Sequence, residues 1–532
     1  MNNFYRLLVL CLTLCTIHQQ TQAQAPDFMW AKQLQGQTSD NLENGRSIAH
    51  DSQGNSYVTG FFTGEMTFGN IKIKSHGNYD IFVAKYDLSG NALWAQSAGG
   101  GDNDFGYGIA VDGAGNAYVT GSTAGDAKFG TTTSSGKVTQ NTFVAKYSPT
   151  GNLLWVKRSR GTGSDRALGI AVDKDGNALI AGDFFGTSTF GNTTFTNSGE
   201  SNGFVAKYDN LGNFMWAKQI SGTGFSMSYS IAVDGSGNAY MTHNFNGAVT
   251  LGNNTYSSVG GTDILLVKYD VSGNIIWTNQ TGGSSNEMAL GVSVDGSGNA
   301  FVTGYFNGTT NLNGTTFTSV GSSDIFVAKY SSSGNQLWAK QTGGSGSDRG
   351  LSIATDRTGN AYLTGDFSGT ATFGTSTLTS FGSTDAFVAK YDASGNVLWA
   401  KGGGSEQMDM GRGISVDNAG FSYVTGSFAG EANFGGVIRN SSGGADVYVA
   451  KYNAEGATHW AKNPTGLGTS DYGRKIAVDS QGNTYVTGYF SGTASFGNVS
   501  LSSAGNYDIY TAKYDASGKV LWAKSGGGPS ND

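Results

Sequence analysis

Short apolar runs separated by Gly, Asn and Asp recur along the whole chain. Residues 161–218 show the pattern. "GTGSDRAL" leads into "GIAVD", the corner "DKDGN" and "ALIAGDF". A longer stretch, "FGTSTFGNTTFTNSGESN", precedes "GFVAKYD", the corner "DNLGN" and "FMWAKQ". The runs are short, rich in Val, Ile, Tyr and Phe, and bounded by turn formers, which predicts strands. They are called a, b, c and d below. The a–b and c–d corners predict tight hairpins, and a further small hairpin falls around "TFGNTTFT". No stretch sustains a helical period.

The unit repeats. The nine tryptophans, Trp30, Trp94, Trp155, Trp216, Trp277, Trp338, Trp399, Trp460 and Trp522, are spaced by 64, then 61 six times, then 62 residues. Each marks a strand d. A four-stranded sheet cannot bury both faces alone and must pack on its neighbours. The period is too long for one coil of a β-helix and too short for an immunoglobulin-like domain of roughly 100 residues. Strand a holds small residues where inner strands would crowd: Ala49, Ala110, Ala171, Ala232, Ser293, Ala354, Ser415 and Ala477. Two residues earlier stand Ser47, Gly108, Gly169, Ser230, Gly291, Ser352, Gly413 and Lys475. Radial packing therefore predicts an all-β fold, a β-propeller of about eight four-stranded blades, with seven as the alternative.

Units such as "GIAVDGAGNAYVTGS" and "DAFVAKYDASGNVLWAK" resemble SBBP-type β-propeller repeats, common in exported proteins of Bacteroidota and related bacteria. The resemblance runs from Trp30 to the end of the chain. It implies a propeller and a secreted or cell-surface location, and little about chemistry. The family label points to seven blades, against eight repeats counted here. There are eight copies of a, b and c but nine of d. Either the strand near Trp30 closes the ring by completing the last blade, or the chain is a piece of a longer array. Asp532 lies ten residues after Trp522, as Asp104 does after Trp94, so the chain stops in mid-repeat.

Composition narrows the class. The chain has 532 residues, with 84 Gly but 4 Pro, 12% aromatic and 13% charged residues, which excludes disordered and collagen-like chains. The net charge is −7 with no basic face apparent, so nucleic acid is not an expected partner. Arg6 precedes the apolar run Leu7–Ile17, too short to span a bilayer, and "TQAQA" follows. Residues 1–23 read as a signal peptide and 24–532 as the propeller, exported, monomeric and without stable membrane insertion. Both cysteines, Cys11 and Cys15, fall in the signal, so the mature chain has no disulfide or cysteine ligand.

Two recurring acids are candidate sites. At the corners, as in "DASGN" at Asp392–Asn396, Gly follows three residues after the Asp in every copy, whereas the Asp of c–d is Ser148, Ser331 or Asn453 elsewhere. The Gly is the constant element, the mark of a hairpin rather than a calcium loop, which needs six to eight oxygen ligands. A second acid lies eight residues before each a–b Asp: Glu43, Asp104, Asp165, Glu287, Asp348, Asp409 and Asp471, with Ser226 in the remaining copy. Seven carboxylates on the loops from d to a would form an acidic ring that binds a cation, calcium included, or a cationic ligand. Symmetric recurrence favours a plainer use, in which each acid holds its own loop. The Lys of the recurring "KY" in strand c and the Phe after strand b, from Phe62 to Phe490, read as packing.

Catalysis needs unlike groups at one point, and the repeat breaks in few places. His50, His76, His243 and His459 fall in different repeats with no shared ligand spacing. No catalytic, cofactor or metal motif is recognised. The reading is a non-enzymatic binding or surface scaffold for a protein or glycan. The alternatives are a polysaccharide lyase or hydrolase with its site in the central channel, and a structural array that spaces other domains.

Overall fold

The computed structural model describes residues 43–526, apart from 69, 137–138, 198, 464–467 and 505–506. The signal segment and the strand expected near Trp30 lie outside the described residues. Among those residues all regular structure is strand, and no helix is long and apolar enough to cross a membrane.

Each unit folds as a meander a–b–c–d with antiparallel pairing throughout. In the third unit Arg166–Val172 pairs with Ala178–Phe184, then Asn202–Tyr208, then Phe214–Gly222. The small hairpin is there too, as Thr187–Phe190 and Thr193–Thr196. Strand a runs over Glu43–His50, Phe105–Val111, Arg166–Val172, Ser226–Val233, Glu287–Val294, Arg349–Thr355, Met410–Val416 and Tyr472–Val478. Each of these eight strands packs on the next, and the eighth packs on the first, so the described inner strands close a ring. Strands b and c are almost wholly buried, and d lies outside them.

The small residues of strand a have a steric reason. A Cβ on Gly108 would stand 2.9 Å from Ile170 of the next blade, and one on Gly291 3.2 Å from Ile353. At these two glycines the next inner strand comes too close for a side chain to fit without displacement. At the wide end each described Trp fills the gap to the following blade. Trp94 Nε1 donates to Pro149 O (3.0 Å) and Trp338 Nε1 to Ala393 O (3.0 Å). The sheets are also stitched directly, because the small hairpin of one unit pairs with the end of strand d of the unit before, as Thr281 with Leu312.

The last blade uses its own outer strand, Val520–Gly526, so the ring closes without exchange of an edge strand. Closure repeats the contacts found between consecutive blades. Tyr485 of the eighth blade donates to Gly54 O of the first, as Tyr240 does to Gly298 O. Trp522 stacks on Tyr86 at 5.3 Å, as Trp94 stacks on Tyr147 at 6.1 Å.

Candidate functional site in the central channel

Strand a carries a β-bulge at the same place in every blade. Pairing with b skips one residue between Gly45 and Ser47, between Gly106 and Gly108, and so on to the step between Gly473 and Lys475. A bulge leaves its extra residue out of the ladder and re-aims that side chain. The eight extra residues are Arg46, Tyr107, Leu168, Tyr229, Leu290, Leu351, Arg412 and Arg474, and all of them line one central cavity of about 440 Å³. The size is that of a small-molecule site.

This ring is not symmetric. Arg412, Arg474 and Arg46 come from blades seven, eight and one, which are adjacent. Lys475 joins them, standing where the other blades have Gly or Ser. The opposite wall is Leu168, Leu290 and Leu351 with Tyr229, which is 40% exposed. The three arginines are half-buried, and each has its Nε buried without a hydrogen-bond partner. Burial and then the charge of Arg474 lower the pKa of Arg46 and of Arg412. Lys475 is open to the channel, yet the protein wall around it desolvates the ammonium and lowers its pKa as well.

Aromatic rings flank the basic sector at the end of the channel where strand a begins. Phe61, Tyr79 and Phe105 pack at 4.9–5.5 Å, and Phe105 stacks on Tyr107 at 5.9 Å. In blade eight Tyr489 contacts Tyr472 (4.9 Å) and Tyr507 (5.6 Å). All of these rings are half-buried rather than core. Arg46 lies over Phe61 at 5.4 Å, and Arg474 donates to Tyr489 Oη (3.0 Å). Two carboxylates of the same layer, Asp183 and Asp366, are each held by two bonds from Arg166 and Arg349.

The acids of the crossing loops lie elsewhere. The side chain of Glu43 lies outside the described residues; Asp104, Asp165, Glu287, Asp348, Asp409 and Asp471 are buried. Each accepts bonds from its own surroundings. Asp104 takes Gly100 N–H (2.7 Å) and Ala124 N–H (2.8 Å); Asp409 takes Ser405 N–H (2.6 Å) and Ala429 N–H (2.9 Å). Asp165 takes the Ser159 and Ser188 hydroxyls, Glu287 takes Gly283 N–H, Asp348 takes Gly344 and Ser368 N–H, and Asp471 takes Ser491 N–H. A cation would have to open these loops to reach the six described carboxylates, and none of those six lines the channel. Burial is the first cause that raises their pKa, to about 7 for Asp104 and Asp165 and about 8 for Glu287. Among the described residues no three His, Cys, Asp or Glu gather as a metal set.

Blade four departs as a unit. Ser226 replaces the acid, and His243 replaces a Gly of strand b. The ring lies between Ser226 Oγ (2.9 Å) and Ser228 Oγ (3.1 Å), fully buried, with its pKa pushed down to about 3 by that burial. A Ser–His pair without access to solvent is a neutral plug, not a nucleophile.

The corners are turns. Asp392 Oδ1 accepts Ser394 and Asn396 N–H (2.8 Å each), and Gly395 has φ +83°. The strand c lysines reach the corner carboxylates, as Lys207 to Asp173 (2.9 Å), and lie over strand b rings, as Lys85 over Tyr57 (4.8 Å).

The family model of the SBBP β-propeller repeat matches residues 30–60, 93–126, 337–366 and 465–489. The chain thus carries SBBP-type β-propeller repeats at four places. The chain is 27% identical over 523 residues to the uncharacterized WD repeat-containing protein L264 of Acanthamoeba polyphaga mimivirus, covering 77% of this chain and 37% of that protein. It is 27% identical over 159 residues to the regulatory protein FlaEY of Caulobacter vibrioides, covering 28% of this chain and 16% of that one. The chain thus spans well under half the length of either relative. Among solved structures, Sqt1 from Chaetomium thermophilum superposes with a TM-score of 0.46 at 10% identity, over 86% of this chain and 97% of that one.

The channel ring is the site that the repeat pattern hides. Attention to recurring positions selects residues that every blade needs. The bulge position holds Arg, Tyr or Leu, and its three Arg fall in ring-adjacent blades. Lys475, a lone charge in a run of Gly and Ser, was the visible signal.

Proposed function

We propose that this SBBP-repeat protein is an exported, monomeric, non-enzymatic binding protein that recognises a glycan at the aromatic mouth of its channel. The half-exposed cluster of Phe61, Tyr79, Phe105 and Tyr107 carries the reading. Core rings of this fold are fully buried, whereas these present faces and edges beside the axis, where sugar C–H surfaces can stack. A glycan array probed with the purified chain tests it. Binding is expected, and Tyr79→Ala with Phe105→Ala should weaken it by about tenfold or more, at ~1 kcal/mol per stacked ring. Failure to bind any glycan would remove this reading.

One observation favours an enzyme instead. Lys475, desolvated and with its pKa lowered beside Arg474, has the character of a general base. An elimination on a polysaccharide would yield an unsaturated sugar, seen by its ultraviolet absorbance and abolished in Lys475→Ser.

A further inference from the structure

The aromatic mouth says that a sugar stacks; the charge around the channel says which sugar. We infer that the channel of this protein takes an acidic saccharide, with its carboxylate or sulfate group against Arg46, Arg412, Arg474 and Lys475 and its ring on the Tyr and Leu side. This rests on the glycan reading and adds the chemical class of the ligand.

Three observations carry it. First, four cationic side chains converge from three adjacent inner strands in a protein of net charge −7. Among the described residues the channel lining contains no carboxylate to offset them. Packing does not call for them, since the same bulge position is filled by Leu in three other blades. Second, the Nε atoms of all three arginines are buried and unpartnered, and an unmade hydrogen bond from a charged group is costly. Among the described residues Arg474 donates one hydrogen bond, to Tyr489 Oη, and Arg412 one, to Met410 Sδ (3.1 Å), so the outer ends of both guanidinium forks keep N–H groups without a protein acceptor beside the cavity. A carboxylate or sulfate matches that fork. Third, the wall across the channel is apolar. A bare inorganic ion would use the basic sector and leave Leu168, Leu290 and Leu351 against water. A ligand with an anionic group and a C–H face uses both sides.

Isothermal titration of the whole chain tests the inference with four probes: an oligouronate, the same oligosaccharide with its carboxyls reduced to alcohols, sodium sulfate and sodium phosphate. Arg474→Leu and Lys475→Ser introduce residue types that sister blades already hold at these positions, so the fold is kept, as the melting temperature will show. The oligouronate is expected to bind about tenfold or more tightly than its reduced form, and each variant to lose about tenfold, the scale of a hydrogen bond to a charged group. Raising the salt concentration should weaken binding, and Lys401→Gln on an outer strand should leave it unchanged. Equal binding of the oligouronate and its reduced form, insensitive to both variants, overturns the acidic class and leaves the glycan reading standing. Absence of binding by either saccharide removes the glycan reading. Binding of sulfate or phosphate alone, lost in Arg474→Leu, shows an anion site without a sugar and also overturns the proposal.

Discussion

Gly395 and its equivalents are constrained twice. The turn holds them at positive φ, and a Trp of the preceding blade occupies the space of a side chain. A Cβ on Gly395 would stand 2.6 Å from Trp338, whereas one on Gly247, at φ +72°, would meet nothing within 4 Å. Both substitutions to Ala impose a left-handed backbone that costs about 1–3 kcal/mol. Gly395→Ala must in addition displace a ring that spans the blade seam. Denaturant titration should find Gly395→Ala the more destabilising by about 1 kcal/mol or more, of the order of overpacking a well-packed site. Equal losses would mean that the Trp contact contributes nothing. The recurrence of this Gly in every copy was legible from the sequence, as was its role in a turn. The Trp behind it was not, because the two residues lie 57 positions apart and meet only when blades stack.

At the scale of the element, the crossing loop between d and a is held by a buried acid. The folded pKa values are about 7 for Asp104 and Asp165, about 8 for Glu287 and about 6 for Asp348 and Asp409, all above the ordinary carboxylate value of 3.8 for Asp and 4.5 for Glu. A group raised in this way contributes stability that is fully present below its unfolded pKa and is lost as pH rises through the folded one. The corner aspartates behave oppositely. Hydrogen bonds to Asn hold Asp112, Asp173 and Asp234 below the usual range despite their desolvation. Their contribution is present above about pH 4 and is lost as pH falls through their folded pKa. Stability should therefore peak in acidic solution, near about pH 4, and decline as pH rises from there to about 8. Thermal unfolding across this range checks it; a melting temperature that keeps rising to pH 8 would contradict the assignment. Recurrence of the acids marked the loops as important, and symmetry favoured a loop-holding role. Their depth did not show, because the same residue type at the same spacing can face either a channel or a packed seam.

For the whole molecule, closure depends on one seam made without covalent continuity. Trp522, fully buried, fills it against Tyr86 and Gly90. Trp522→Ala should cost about 3–5 kcal/mol, the range for a buried Trp truncation. Amide exchange should accelerate first in the first and last blades. Uniform acceleration around the ring would show that the seam is no weaker than the continuous ones. Trp277→Ala, at an internal seam where the ring is partly exposed, should cost less.

Strand order, hairpin corners, the small inner face and the period of about 61 residues follow from sequence alone, because each expresses a local rule repeated in every unit: alternation, turn chemistry, steric crowding. The ring arrangement of the blades was inferable from the same units, since a four-stranded sheet must cover its faces. The tertiary structure alone decided what stands at the axis. The bulge in strand a turns one residue of each blade away from the ladder, and ring closure brings Arg46 beside Arg474, 428 positions away in the chain. A site assembled from one residue per blade carries no spacing motif. It exists only once the first and last inner strands become neighbours.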